Sequence, residues 1–130
     1  MSDKKQIVLK KQDVEDNLSR LLDASEGIYA ALLSSIDGHS LARKSHSDFS
    51  DSRLAAMTSS CLALGEKIAI EAKQTDCNFV IIQNADGFLV LRRVGEKLVL
   101  SALANKNVSL GLVLFATNSS AESLEKAIKE

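Results

Sequence analysis

Phe79-Val-Ile-Ile-Gln83, Phe88-Leu-Val-Leu-Arg-Arg-Val94 and Lys97-Leu-Val-Leu-Ser-Ala-Leu-Ala104 stand almost end to end. Each run is apolar and of strand length. Ala85-Asp86-Gly87 parts the first two, and Gly95-Glu96 parts the second two. Connections this short join only antiparallel neighbours, because a parallel pair needs a crossover of a dozen residues or more. The block therefore predicts a three-stranded antiparallel meander. A sheet this apolar needs helices over its faces.

Upstream, Ile28-Tyr-Ala-Ala-Leu-Leu-Ser-Ser-Ile36 reads as a strand, Asp37-Gly38 as a hairpin turn and His39-Ser-Leu-Ala-Arg43 as the returning strand. Asp-Gly suits that turn because both central positions need positive φ. Before the hairpin, Val14, Leu18, Leu21 and Leu22 recur at helical spacing over residues 12–25. Asp13, Glu15 and Asp16 sit where the helix dipole favours negative charge. After it, residues 44–50 are polar, and Ser50 or Asp51 can cap a helix running to Lys73. Residues 108–129 fit a helix through Leu110, Val113, Leu114, Ala121, Leu124 and Ile128. By pattern alone, 110–116 could also be a buried strand. The fold class is α+β, in the order helix, two strands, helix, three strands, helix.

The helix from 51 to 73 is unusual. Leu54, Met57, Cys61, Leu64 and Ile68 form one apolar face, while Ala55, Ser59, Leu62, Ala63 and Ile70 lie on roughly the opposite side. One core cannot account for both. The pattern points to a contact with something outside the domain.

The whole chain has 130 residues, of which 16 are Lys or Arg and 17 Asp or Glu. The length suits a single domain over 12–130 preceded by a flexible, Lys-rich leader, 1–11. The near-balanced charge disfavours a nucleic-acid module held by phosphate contacts. With no Trp and five aromatic residues, a base-stacking platform is disfavoured too. No apolar run approaches the length of a membrane span, and the N-terminus carries no signal-peptide pattern. The expectation is a cytoplasmic protein that does not insert into membranes. Cys61 and Cys77 are then reduced thiols.

Catalytic signals are weak. His39, His46, Asp48 and Asp51 lack the spacing of a zinc site. Ser34-Ser35 and Ser59-Ser60 lack a nucleophile elbow. No glycine-rich phosphate loop occurs. Cys61 reads as a core residue, and Cys77 could serve a thiol enzyme only with a histidine partner. The residues thus lead to no enzyme, no cofactor and no metal.

Several segments, taken in order, resemble a Roadblock-type domain, the family of dynein roadblock light chains and bacterial regulators of Ras-like GTPases. They are Val14-x3-Leu18-x2-Leu21, Gly27 through Gly38 with Leu41-Ala42, Leu64-Gly-Glu-Lys-Ile-Ala69, Phe79 through Val94, Gly95 through Leu100, and Asn107-Val-Ser-Leu-Gly-Leu112. The likeness runs from Val14 to Ile128 and favours the bacterial branch, since the last segment continues into a full helix.

The resemblance implies an α/β sandwich of profilin-like, Roadblock type. Its five-stranded antiparallel sheet carries the second helix on one face and the terminal helices on the other. It also implies a homodimer formed by the second helix and the following edge strand. On that basis the expected interface residues are Ala55, Ser59, Leu62, Ala63, Ile70, Phe79, Val80 and Ile81. The implied function is a non-catalytic homodimeric adaptor or regulator of a Ras-like small GTPase, with Glu66, Lys67 and Lys73 as its polar contacts. The alternative is a small-molecule-sensing α/β domain, which an enclosed apolar pocket with convergent polar groups would mark.

Overall fold

A computed structural model describes residues 9–128. The leader as far as residue 8 lies outside the described residues. The elements are α1 (Lys11–Asp23), β1 (Ile28–Ser35), β2 (Ser40–Ser45), α2 (Asp51–Glu71), β3 (Val80–Gln83), β4 (Gly87–Val94), β5 (Leu98–Asn105) and α3 (Leu110–Ala127). This is the expected order, and the ambiguous final segment is a helix. Ser109 starts it, accepting a bond from the Leu112 N–H at 3.2 Å. Ser50 does the same for α2 through the Arg53 N–H at 3.3 Å. Both hydroxyls satisfy amides that have no partner within the helix.

The five strands form one antiparallel sheet in the order β2-β1-β5-β4-β3. Two hairpins build its outer parts, and β1 lies against β5 in the middle. Gly38 turns the first hairpin at φ 94, in the left-handed region that glycine enters without a steric cost, but Asp37 does not take a positive φ, so the expected turn with two such positions is not the one formed.

Alternate strand residues face opposite sides. Ala31 and Leu33 of β1, Val90 and Val94 of β4 and Leu100 and Ala102 of β5 join Val14, Leu18 and Leu21 of α1 and Val113, Ala121 and Leu124 of α3 in the main core. Arg92 ties α3 to this face, with Nε 2.9 Å from Asn118 and a terminal nitrogen 3.2 Å from Glu125. Glu125 also accepts the Gly95 N–H at 2.9 Å.

The other face carries α2 on a second, smaller core. Ala30, Leu32, Leu91, Val99 and Leu103 are buried there, with Ala55, Thr58, Ser59 and Leu62 of the helix above them. The Ser59 hydroxyl donates to the Ser35 carbonyl at 2.8 Å, so helix and sheet approach closely. The start of α2 is pinned to β2 by Arg43, which pairs with Asp51 and lies 4.4 Å over the Phe49 ring.

Candidate interaction surface

The buried face of α2 is the one with the small side chains. Ala55 and Leu62 are 0% and 1% exposed within the single chain, and Ser59 is buried with them. This corrects the expected interface: these three residues are sealed under their own sheet and have no surface to offer a second copy. The cause is the sheet itself. Ala30, Ser34 and Ser101 are small and buried, so the helix settles close, and only small residues and one leucine fit between.

The bulky side chains are turned outward instead. Met57, Leu64 and Ile68 are 62%, 58% and 57% exposed. Leu54 and Cys61 are half-buried on the same stripe. Sequence periodicity marks this face as apolar, while the expected interface lies on the opposite side. Ala63 and Ile70 are also exposed, on the flank of the helix.

Beside the stripe runs β3, an edge strand that among the described residues pairs only with β4. Gly65 lets the two elements meet: a Cβ there would lie 2.6 Å from Val80 Cγ2 and 3.4 Å from the Cys77 sulfur. Val80 and Ile82 therefore share the α2 side of the sheet, and both are half-buried. Phe79 and Ile81 alternate to the α3 side. Phe79 packs against the main core there, while Ile81 remains 42% exposed. The Asn84 N–H donates to Gly87, which fixes the ladder's alternation and leaves the Ile81 and Gln83 N–H groups pointing off the edge. The surface thus combines an apolar helix stripe with a free strand edge. Ile82 is the strand residue that sequence reasoning omitted. Its place opposite Ile81 in the period-two alternation was the available signal.

The three expected polar contacts fare differently. Glu66 is occupied: both its oxygens bond Arg93, at 2.7 and 2.8 Å. The bond to Arg93 holds the Glu66 carboxyl below its ordinary range, against a smaller opposing effect of burial. Glu66 is therefore a brace between α2 and β4 and is not a free contact. Lys67 is exposed. Lys73 is exposed just past the helix end, in the left-handed conformation at φ 63. Its N–H bonds the Ile70 carbonyl, and the next N–H, of Gln74, bonds that of Ala69. This is a Schellman closure with lysine where glycine is usual.

Burial and the nearby Glu66 carboxylate push the Cys77 thiol up from its ordinary value. That direction is opposite to the one that favours a reactive thiolate. Among the described residues, no group of three or more His, Cys, Asp or Glu side chains could hold a metal ion. No helix among them is long and apolar enough to cross a membrane.

The sequence pattern of the Roadblock/LC7 domain matches residues 14–104. No curated protein matches the chain in sequence. Among solved structures, the gliding protein MglB from Thermus thermophilus superposes with a TM-score of 0.83 at 20% identity, covering 95% of this chain and 96% of that one. A Roadblock/LC7 domain from Streptomyces avermitilis gives 0.78 at 20% identity, with 85% and 92% covered. Acanthamoeba castellanii profilin IB gives 0.59 at 14% identity, with 84% and 94% covered. At these identities the likeness is one of fold.

Proposed function

The chain belongs to the Roadblock/LC7 domain family, and from that premise we propose that it is a homodimeric adaptor or regulator of a Ras-like small GTPase with no catalytic groups of its own. The observation that carries the reading is the solvent-facing stripe of Leu54, Met57, Cys61, Leu64 and Ile68 beside the free edge of β3. A stripe of large apolar side chains next to unpaired strand amides is a hazard in a lone chain. A second copy related by a two-fold axis covers both at once, helix on helix and β3 on β3. The paired helices then form one continuous platform, larger than either chain offers alone, with Lys67 at its margin.

Such a protein works by binding one nucleotide state of the GTPase better than the other. Arg92 and Arg93 are both committed to carboxylates of their own chain, so they are not free to reach a partner's phosphates. In this reading activation comes from repositioning the GTPase's own groups.

The test titrates the protein against the Ras-like GTPase of the same cell, loaded either with GDP or with a non-hydrolysable GTP analogue. A difference in Kd of about tenfold between the two states supports regulation. Equal affinity, with no change in hydrolysis rate, reduces the role to that of a passive scaffold. No binding to either form sinks the proposal.

A further inference from the structure

On the side of the sheet away from α2, the outer face of α3 is a second apolar surface. Val113, Ala116, Thr117, Ser120, Ala121 and Leu124 are its buried residues, packed toward α1, β4 and β5. The helical period then turns Gly111, Phe115 and Glu122, spaced by four and seven, away from the sheet. Phe115 is 73% exposed, and Leu110 and Leu112 nearby are 38% and 39% exposed. A Cβ at Gly111 would meet nothing within 4 Å among the described residues, so a gap stands one turn before the Phe115 ring. Glu122 is exposed toward one end of the helix, and Lys106 is exposed just before the other. Both lie on the flank that faces β3 and β4, Glu122 in a groove with Phe79 and Lys106 in one with Ile81. Among the described residues neither has an ion-pair partner, and the first turn of α3 holds no acidic residue.

We infer that this face binds the same face of a second copy, with the two α3 helices antiparallel about a two-fold axis near residues 113 and 114. Such an axis reverses the helix direction but keeps the β3-facing flanks of both copies on one side. Phe115 lies only one or two residues from the axis, so the two rings meet side by side. Each ring covers the turn of the other helix that contains Gly111, where the missing side chain leaves room. Glu122 lies about 13 Å from the axis along the helix. At that height on the same flank stands the segment leading into the other copy's α3, with its Lys106. The carboxylate there meets an ammonium and the positive end of a helix that has no acid of its own. Symmetry forms this contact twice. Charge complementarity names the occupant: one face supplies ring and gap, carboxylate and ammonium, at matching distances from a single point, as an isologous contact requires. The contact is separate from the α2 stripe, which lies across the sheet, so it joins dimers of the kind proposed above without depending on them.

The test is sedimentation equilibrium on the full chain, with circular dichroism to show that each variant is folded. Wild type should form tetramers. Phe115→Asp should weaken the α3 contact about a hundredfold or more and halve the mass of the largest species, since the buried carboxylate enters twice. Leu64→Asp, on the α2 stripe, should also halve it, and the double variant should be monomeric. Lys106→Glu or Glu122→Lys alone should weaken the α3 contact about tenfold by setting like charges against each other. The two reversals together should bring the Kd back within about threefold of wild type. An unchanged mass in Phe115→Asp, or no recovery in the double reversal, would overturn the inference. If Leu64→Asp left the mass unchanged while Phe115→Asp halved it, the α3 contact would stand and the α2 dimer would fail.

Discussion

Leu62 and Leu64 are the same residue type two positions apart on one helix, yet one is 1% exposed and the other 58%. Replacing each with alanine separates the two faces of α2. Leu62→Ala removes a side chain from a closed contact with the sheet and leaves a cavity, at about 3 kcal/mol of stability. Leu64→Ala trims a side chain mostly in water, so the isolated chain should lose no more than about 0.5 kcal/mol. The dimer should feel it differently. A fully buried leucine is worth about 1.5–3 kcal/mol, and with over half of Leu64 still exposed about 1 kcal/mol per protomer is at stake. Symmetry doubles that to about 2 kcal/mol, or about thirtyfold in the dimerisation Kd. Sedimentation equilibrium gives the Kd. Urea melts at concentrations well below it give the stability of the single chain. If Leu64→Ala matched Leu62→Ala in the melts and left the Kd unchanged, the outward stripe would not be the interface.

Three further outcomes are expected. Arg93 depresses the Glu66 carboxyl below its ordinary 4.5 in the folded state, so the pair adds stability above about pH 4.5 that is lost as pH falls through the lowered folded value. Glu66→Gln should therefore cost about 0.5–1 kcal/mol at pH 7 and much less in urea melts at pH 3; an equal cost at both pH values would contradict the brace. Ser101 and Ser34 bury hydroxyls that have no hydrogen-bond partner, so Ser101→Ala should raise stability by about 1 kcal/mol, seen in calorimetry as an upward Tm shift of about 4 °C. Lys73→Gly should relieve the left-handed backbone past α2 and stabilise by about 1 kcal/mol; a lower Tm would show that the lysine side chain is held by contacts that outweigh the strain.

Element order was readable because its signals are local. Asp37-Gly38 and Gly95 announce turns, Ser50 announces a helix start, and each lies within a few residues of the element it delimits; the start of the last helix at Ser109 was not legible in the same way. The faces of α2 were not readable. Periodicity identifies two apolar sides, but which one meets the sheet depends on the Ala30, Ser34 and Ser101 surface that β1 and β5 bring together from distant parts of the chain. Volume misleads there, because the larger residues look like core while the gap admits only Ala55, Thr58, Ser59 and Leu62. Glu66 was misread for a related reason. A carboxylate on an exposed-looking helix position reads as free until β4 places Arg93 beside it.

The strand order also has a consequence in time. The middle of the sheet pairs Leu32 with Ser101 and Leu33 with Leu100, so a strand made early waits for the last one. While the ribosome is still synthesising α2 and the β3–β4 hairpin, β1 has only β2 beside it, and neither core can close. Joining such distant segments means closing a long loop before any contact compensates for the lost chain entropy. A nascent chain that stops before Leu98 should therefore expose Leu32 and Leu33 to chaperones and proteases. The domain should fold in one late step, after its final strand has left the exit tunnel.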